Sequence, residues 1–212
     1  MNEKMAGWGL DEKEIVIFDM DGVLISTKEM CLCSYRAVLD EFYGEEFRKE
    51  RFPDELLGTF VEIPLALRLA ENGISDGDIE RILPRYYEFN EKFEHLNRRV
   101  LASAREVRRL RDEVGKPLYM ASLKAEVPGR KIFAQIGLED CFDLVQFRTE
   151  AGTKEDVLRT ILPRIGKDAT VENCIYIGDM PYDREASAKV GIDYVDISEI
   201  LGFSPNFAEG WE

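Results

Sequence analysis

The stretch Ile15-Val16-Ile17-Phe18-Asp19-Met20-Asp21-Gly22 decides the fold. Four β-branched or aromatic residues run without a polar break, and two carboxylates and a glycine follow at once. A strand with one wet face alternates apolar and polar residues. An unbroken run instead predicts a strand buried on both faces, as in a parallel sheet covered by helices. Leu118-Tyr119-Met120-Ala121, Asp143 to Phe147 and Cys174-Ile175-Tyr176-Ile177 repeat the signature, and a short run, Tyr194-Val195-Asp196-Ile197, follows Gly191.

Helical patterns separate these runs. Leu101, Ala104, Val107, Leu110 and Val114 recur at helical spacing, with Arg105, Arg108, Arg109 and Asp112 on the opposite, solvated side. Glu126 to Ile136, Thr153 to Ile165 and Tyr182 to Val190 predict further helices. The alternation gives an α/β fold with a doubly wound parallel sheet, Rossmann-like in its core. One interval is too long for it. The strand after Phe18 begins at Leu118, whereas a single helical crossover needs roughly 30 residues. Met30 to Phe42, Ile63 to Glu71 (with Pro64 at its start) and Asp78 to Phe93 fill the interval with helical patterns, and Asp76-Gly77-Asp78 reads as a capping turn. Residues 27–98 are therefore expected to form an inserted α-helical domain, with 1–26 and 99–212 forming the α/β core.

Composition narrows the functions available. The net charge is −14, which excludes nucleic acid and acidic membranes as docking surfaces, because both require clustered cations. Hydrophobic residues at 45% and charged residues at 33% are globular proportions. Cys31, Cys33, Cys141 and Cys174 lack zinc-ligand spacing and read as small buried residues in a reducing compartment. The residues Met1 to Glu14 are polar and acidic, and no apolar run approaches the roughly 18 residues of a membrane span. A cytoplasmic protein is the expectation.

The chemistry gathers at the strand ends. Asp19 and Asp21 lie two residues apart, so on an extended backbone both carboxylates can face one space. In open α/β sheets that space, beyond the carboxyl ends of the strands, is where ligands bind. A second strand end continues into Gly178-Asp179-Met180-Pro181-Tyr182-Asp183. Carboxylates converging there would repel one another unless a cation intervened, and oxygen-only ligation with few protein ligands suits Mg²⁺. Ser122 closes another strand run and offers a hydroxyl. Gly152-Thr153-Lys154 opens a helix, with Thr153 as N-cap and Asp156 completing a capping box. Lys154 then stands in the first turn against the helix dipole, an unfavourable choice that points to function and would supply positive charge for an anionic substrate.

With these residues in hand, the chain resembles the haloacid dehalogenase superfamily, in its phosphatase, phosphoglycolate phosphatase and β-phosphoglucomutase-like branch. Phe18-Asp19-Met20-Asp21-Gly22-Val23-Leu24 is similar to that family's first motif. Ser122, Lys154 and Gly178-Asp179 with Asp183 follow in the order of its other three, with Lys124 and Lys131 left open as alternatives for the motif lysine. The segment Ile25-Ser26-Thr27-Lys28 departs from relatives that carry an acidic residue near Ser26, and Glu155 stands where a proline commonly follows the lysine. The resemblance implies a Mg²⁺-dependent phosphatase acting on a small-molecule phosphate ester. It implies Asp19 as nucleophile, Asp21 as general acid and base, Ser122 and Lys154 as phosphate ligands, and Asp19, Asp21, Asp179 and Asp183 around the metal. It makes the helical insertion a cap over the site, with Gly58 and Thr59, in an interhelical loop, expected to contact the substrate. A phosphomutase using the same aspartyl-phosphate is the nearest alternative. A phospho-accepting signalling domain fits less well, since its lysine comes last in the chain, whereas here an acidic strand end follows the lysine.

Overall fold

The computed structural model describes residues 13–62, 65–148 and 152–205. The chain divides into two compact units, one of Met1–Ser26 with Arg99–Glu212 and one of Thr27–Arg98.

The first unit is built on five parallel strands: β1 (Ile15–Phe18), β4 (Leu118–Ala125), β5 (Leu144–Arg148), β6 (Cys174–Gly178) and β7 (Asp193–Asp196). They lie in the order β5-β4-β1-β6-β7. β1 pairs with β4 on one side (Phe18 opposite Met120) and with β6 on the other (Phe18 opposite Ile177). The strand order reverses between β1 and β6, which makes that edge the topological switch point where such sheets bind ligands. The decisive run is buried on both faces, as its composition demands. Val16 and Phe18 pack with Val107, Leu110, Ile132 and Phe133, from the segments containing α6 (Leu101–Arg109) and α7 (Glu126–Ile136). Ile15 and Ile17 pack on the other face with Val157, Leu158, Ile161 and Ala186, from α8 (Lys154–Ile165) and α9 (Pro181–Val190). Each valine, leucine, isoleucine or phenylalanine buried this way contributes about 1.5–3 kcal/mol.

The expected elements shift in instructive places. β4 runs through Ser122 to Ala125, so Ser122 lies inside the strand rather than closing it. The helix from Leu101 passes at Leu110 into a wider, π-helical turn, Leu110–Val114. That extra residue per turn rotates Val114 off the buried stripe, and it is 40% exposed. Short α10 (Ile197–Leu201) takes Ile197 from the end of the predicted last strand. Cys31, Cys141 and Cys174 are buried thiols, but Cys33 is only half-buried.

The second unit is helical: α1 (Lys28–Tyr43), α2 (Glu45–Arg51), α3 (Asp54–Gly58), α4 (Leu65–Glu71) and α5 (Asp76–Lys92). Its core brings Tyr35, Val38 and Leu39 of α1 against Ile79, Ile82 and Tyr86 of α5, with the Tyr35 and Tyr86 rings stacked 5.2 Å apart. The expected helix start at Ile63 and Pro64 lies outside the described residues. The cap of α5 is Ser75, which accepts from Asp78 N–H at 3.2 Å, so Asp76-Gly77-Asp78 forms the first helical turn and not the cap. Two-residue β2 (Ile25–Ser26) and β3 (Arg98–Arg99) stand at the sequence boundaries of the insertion.

Candidate active site at the switch point

The site grows from the two strand ends that flank the reversal. Asp19 leaves β1 still in the ladder, its N–H donating to Ile177 O at 2.8 Å. Its side chain is buried, and Oδ1 accepts from Met20 N–H at 2.8 Å. The chain then turns sharply, with Gly22 N–H donating to Ile25 O and Leu24 N–H to Met20 O. Gly22 has φ +70°, and a Cβ there would lie 1.8 Å from Asp179 Oδ2. Glycine is thus required twice over, for the left-handed backbone and for the close approach of the second strand end.

Asp179 follows β6, and Asp183 sits in the first turn of α9, where its Oδ2 accepts from Met180 N–H at 3.2 Å. Carboxylate oxygens of Asp19, Asp179 and Asp183 lie within 4.8 Å of one another. Lys154, buried at the start of α8, reaches Asp19 Oδ2 at 2.8 Å and Asp183 Oδ1 at 3.2 Å. It also donates to Tyr176 OH at 2.8 Å, and that hydroxyl donates onward to Ala121 O at 3.3 Å. The capping box expected at α8 is present: Thr153 Oγ1 accepts from Asp156 N–H, and Asp156 Oδ2 from Thr153 N–H.

Electrostatics follow from this crowding. Burial, together with Asp183 and Asp21, pushes the Asp19 carboxyl up to about 7, although Lys154 pulls it down. Burial and the charges of Asp19 and Asp183 hold the Asp179 carboxyl well above the usual carboxylate range. Burial opposes the charge on Lys154, but Asp19 and Asp183 outweigh it and hold the ammonium protonated above its ordinary range. Three carboxylates converge here, two of them on Lys154, and the buried Asp183 Oδ1 accepts no aligned hydrogen bond. A divalent cation fits this donor set, because it would relieve the crowding of the carboxylates and take hard oxygen ligands.

Not every expected residue joins this group. The Asp21 carboxylate stands half-buried, with Oδ1 3.0 Å from Lys124 Nζ, so Asp21 and Asp19 have different cationic partners. Of the lysines left open by the sequence, Lys154 lies on Asp19, Lys124 on Asp21, and Lys131 on an exposed position of α7. Ser122 is buried in β4, and its Oγ accepts from Lys124 N–H at 3.1 Å. Gly58 and Thr59 belong to the second unit and are not in a loop: Gly58 ends α3 and Thr59 begins a 3₁₀ turn, with Oγ1 donating to Leu56 O at 2.8 Å. The backbone there is satisfied by helical turns, which corrects the expected loop. Tyr176 is not singled out by the sequence as a site residue. It reads as one more apolar position of β6, and only its lone hydroxyl in an apolar run could have signalled it.

A doubly wound sheet with a buried carboxylate–lysine centre at its switch point defines a class of α/β enzymes. This chain belongs to the haloacid dehalogenase-like hydrolases, whose family model matches residues 16–197; proteins of this family generally use a divalent metal. It is similar to PpaX of Caldanaerobacter subterraneus subsp. tengcongensis, assigned as a pyrophosphatase, with 25% identity over 86% of this chain and 80% of that protein. It is also similar to the tyrosine-protein kinase PtkA of Mycobacterium tuberculosis, with 26% identity over 87% of this chain but only 62% of PtkA. A crystal structure from Clostridium difficile, assigned as a phosphatase, superposes with a TM-score of 0.69 and 26% identity over 87% of this chain and 84% of that one. Among the described residues, no helix is long and apolar enough to cross a membrane.

Proposed function

We propose that the chain is a Mg²⁺-dependent phosphatase that hydrolyses a small-molecule phosphate monoester through phosphorylated Asp19. The observation that carries this reading is Asp19 itself, buried at the end of β1 with Oδ2 2.8 Å from Lys154 Nζ. In the first half-reaction a carboxylate oxygen of Asp19 attacks phosphorus, the bond from phosphorus to the ester oxygen breaks, and Asp21 gives that oxygen its proton. In the second, Asp21 takes a proton from a water whose oxygen attacks the same phosphorus. The bond from phosphorus to Asp19 then breaks, releasing phosphate and restoring the carboxylate. Lys154 holds the nucleophile and offsets its charge as the anionic phosphoryl group approaches. Ser122 serves as a donor to a phosphoryl oxygen. Asp19, Asp179, Asp183 and the backbone carbonyl of Asp21 would hold Mg²⁺, which when bound stabilises negative charge on the phosphoryl oxygens.

The relatives differ in the phosphoryl donors and acceptors their names imply, a pyrophosphatase and a protein kinase, so the substrate is proposed as a class only. The test is phosphate release from a panel of small phosphate esters, with and without Mg²⁺, beside Asp19→Asn. Release that needs Mg²⁺ and vanishes in the variant is expected. An isomerised sugar phosphate accumulating in place of phosphate would favour the mutase.

A further inference from the structure

Lys124 has no role in the reaction as proposed, yet the local fold directs it to a catalytic group. β4 and β5 keep register from Tyr119 to Ser122 and resume only at Ala125, leaving Leu123 and Lys124 in an irregularity at the site end of the strand. Bulges of this kind re-aim side chains, and they recur beside active sites. Ser122 Oγ accepts from Lys124 N–H at 3.1 Å, which fixes the irregular turn. Lys124 Nζ then lies 3.0 Å from Asp21 Oδ1, with side-chain exposures of 18% and 32%. Such a pair is drier than the exposed ion pairs that contribute little. Asp21 Oδ1 is buried and accepts no aligned hydrogen bond. The ammonium therefore holds that oxygen by charge, and engagement of one oxygen leaves the other for proton transfer.

We infer that Lys124 is the positioning residue of Asp21. It keeps the carboxyl in the one orientation that serves the leaving oxygen first and the attacking water afterwards. A half-buried carboxylate without that partner would spread over several rotamers, and a displacement of about 1 Å in a reacting group costs on the order of 100-fold. The inference rests on the general acid–base role proposed for Asp21. Lys124 touches no reacting atom in it.

Leaving-group dependence tests this in the Mg²⁺-loaded protein. An alkyl phosphate needs its departing oxygen protonated, whereas 2,4-dinitrophenyl phosphate expels a stable phenolate without that help, and kcat/KM reports the steps up to departure. Lys124→Met is expected to lower kcat/KM for an alkyl phosphate by about 10- to 100-fold, while kcat/KM for the dinitrophenyl ester stays near the wild-type value. Lys124→Arg, which keeps the charge, recovers most of the loss. Asp21→Asn shows the same selectivity on a larger scale, and adding Lys124→Met to it costs nothing more on the alkyl ester. Equal loss on both esters in Lys124→Met, or additive loss in the double variant, overturns the inference and leaves the role of Asp21 standing. An Asp21→Asn variant without selectivity overturns that role, and the inference with it. Should Lys124→Met fail to fold, Lys124→Gln carries the same comparison.

Discussion

Gly22 shows how tightly single residues are constrained around the carboxylates. An alanine there would combine a left-handed backbone with a Cβ 1.8 Å from Asp179 Oδ2, so Asp179 or the turn after Asp19 must move. Gly22→Ala is expected to lower kcat about 100-fold, the usual cost of misplacing a catalytic group by 1 Å, and to weaken Mg²⁺ binding. Wild-type turnover and unchanged Mg²⁺ half-saturation would refute this account of the turn. At this scale the sequence was readable where chemistry sits at strand ends. Asp19, Asp179 and Asp183 can be picked out from their positions after apolar runs, and Lys154 from its unfavourable place in a helix's first turn, and they do come together. Tyr176 could not be picked out, because its hydroxyl meets Lys154, 22 positions earlier, only through the packing of α8 on the sheet. The pairing of Asp21 with Lys124 was equally hidden, since it depends on an irregularity in β4 that leaves no period in the sequence.

Helix α8 is the element that delivers the lysine. Its capping box offsets the local penalty of a cation in the first turn, because Thr153 satisfies Asp156 N–H and Asp156 satisfies Thr153 N–H. Thr153→Ala is expected to remove about 1 kcal/mol of stability, which lowers the melting midpoint by about 2–4 °C in a chain of this size. A midpoint unchanged in thermal denaturation would show that the cap contributes nothing. Long, strongly patterned elements were legible in advance: α5 and α8 keep clear apolar faces, and β1 is an unbroken apolar run. Helix α2, Glu45-Glu46-Phe47-Arg48-Lys49-Glu50-Arg51, was not, for it has no apolar stripe and buries only Arg48, which bonds Asp40 Oδ1 at 2.7 Å.

Over the whole molecule, the charge of −14 would repel an anionic substrate unless the site offset it locally. Lys154 supplies part of that offset, and the proposed cation would add to it. Asp19 and Asp179 are raised above their unfolded values, Asp19 from 3.8 to about 7, chiefly by burial. The folded metal-free protein therefore binds more protons than the unfolded chain between those values, so this contribution to stability falls as pH rises from about 4 to 7. A divalent cation relieves the same repulsion. Mg²⁺ is thus expected to raise the melting midpoint more at pH 7.5 than at pH 5, and an equal or reversed difference would place the cation elsewhere. The central claim is that Asp19 carries the phosphoryl group, and acid-quenching the enzyme during turnover and mapping its peptides by mass tests it most directly. The account predicts one phosphoryl group on the peptide that contains Asp19, absent from Asp19→Asn. A phosphoryl group on another residue, or sustained phosphate release by Asp19→Asn, would contradict it.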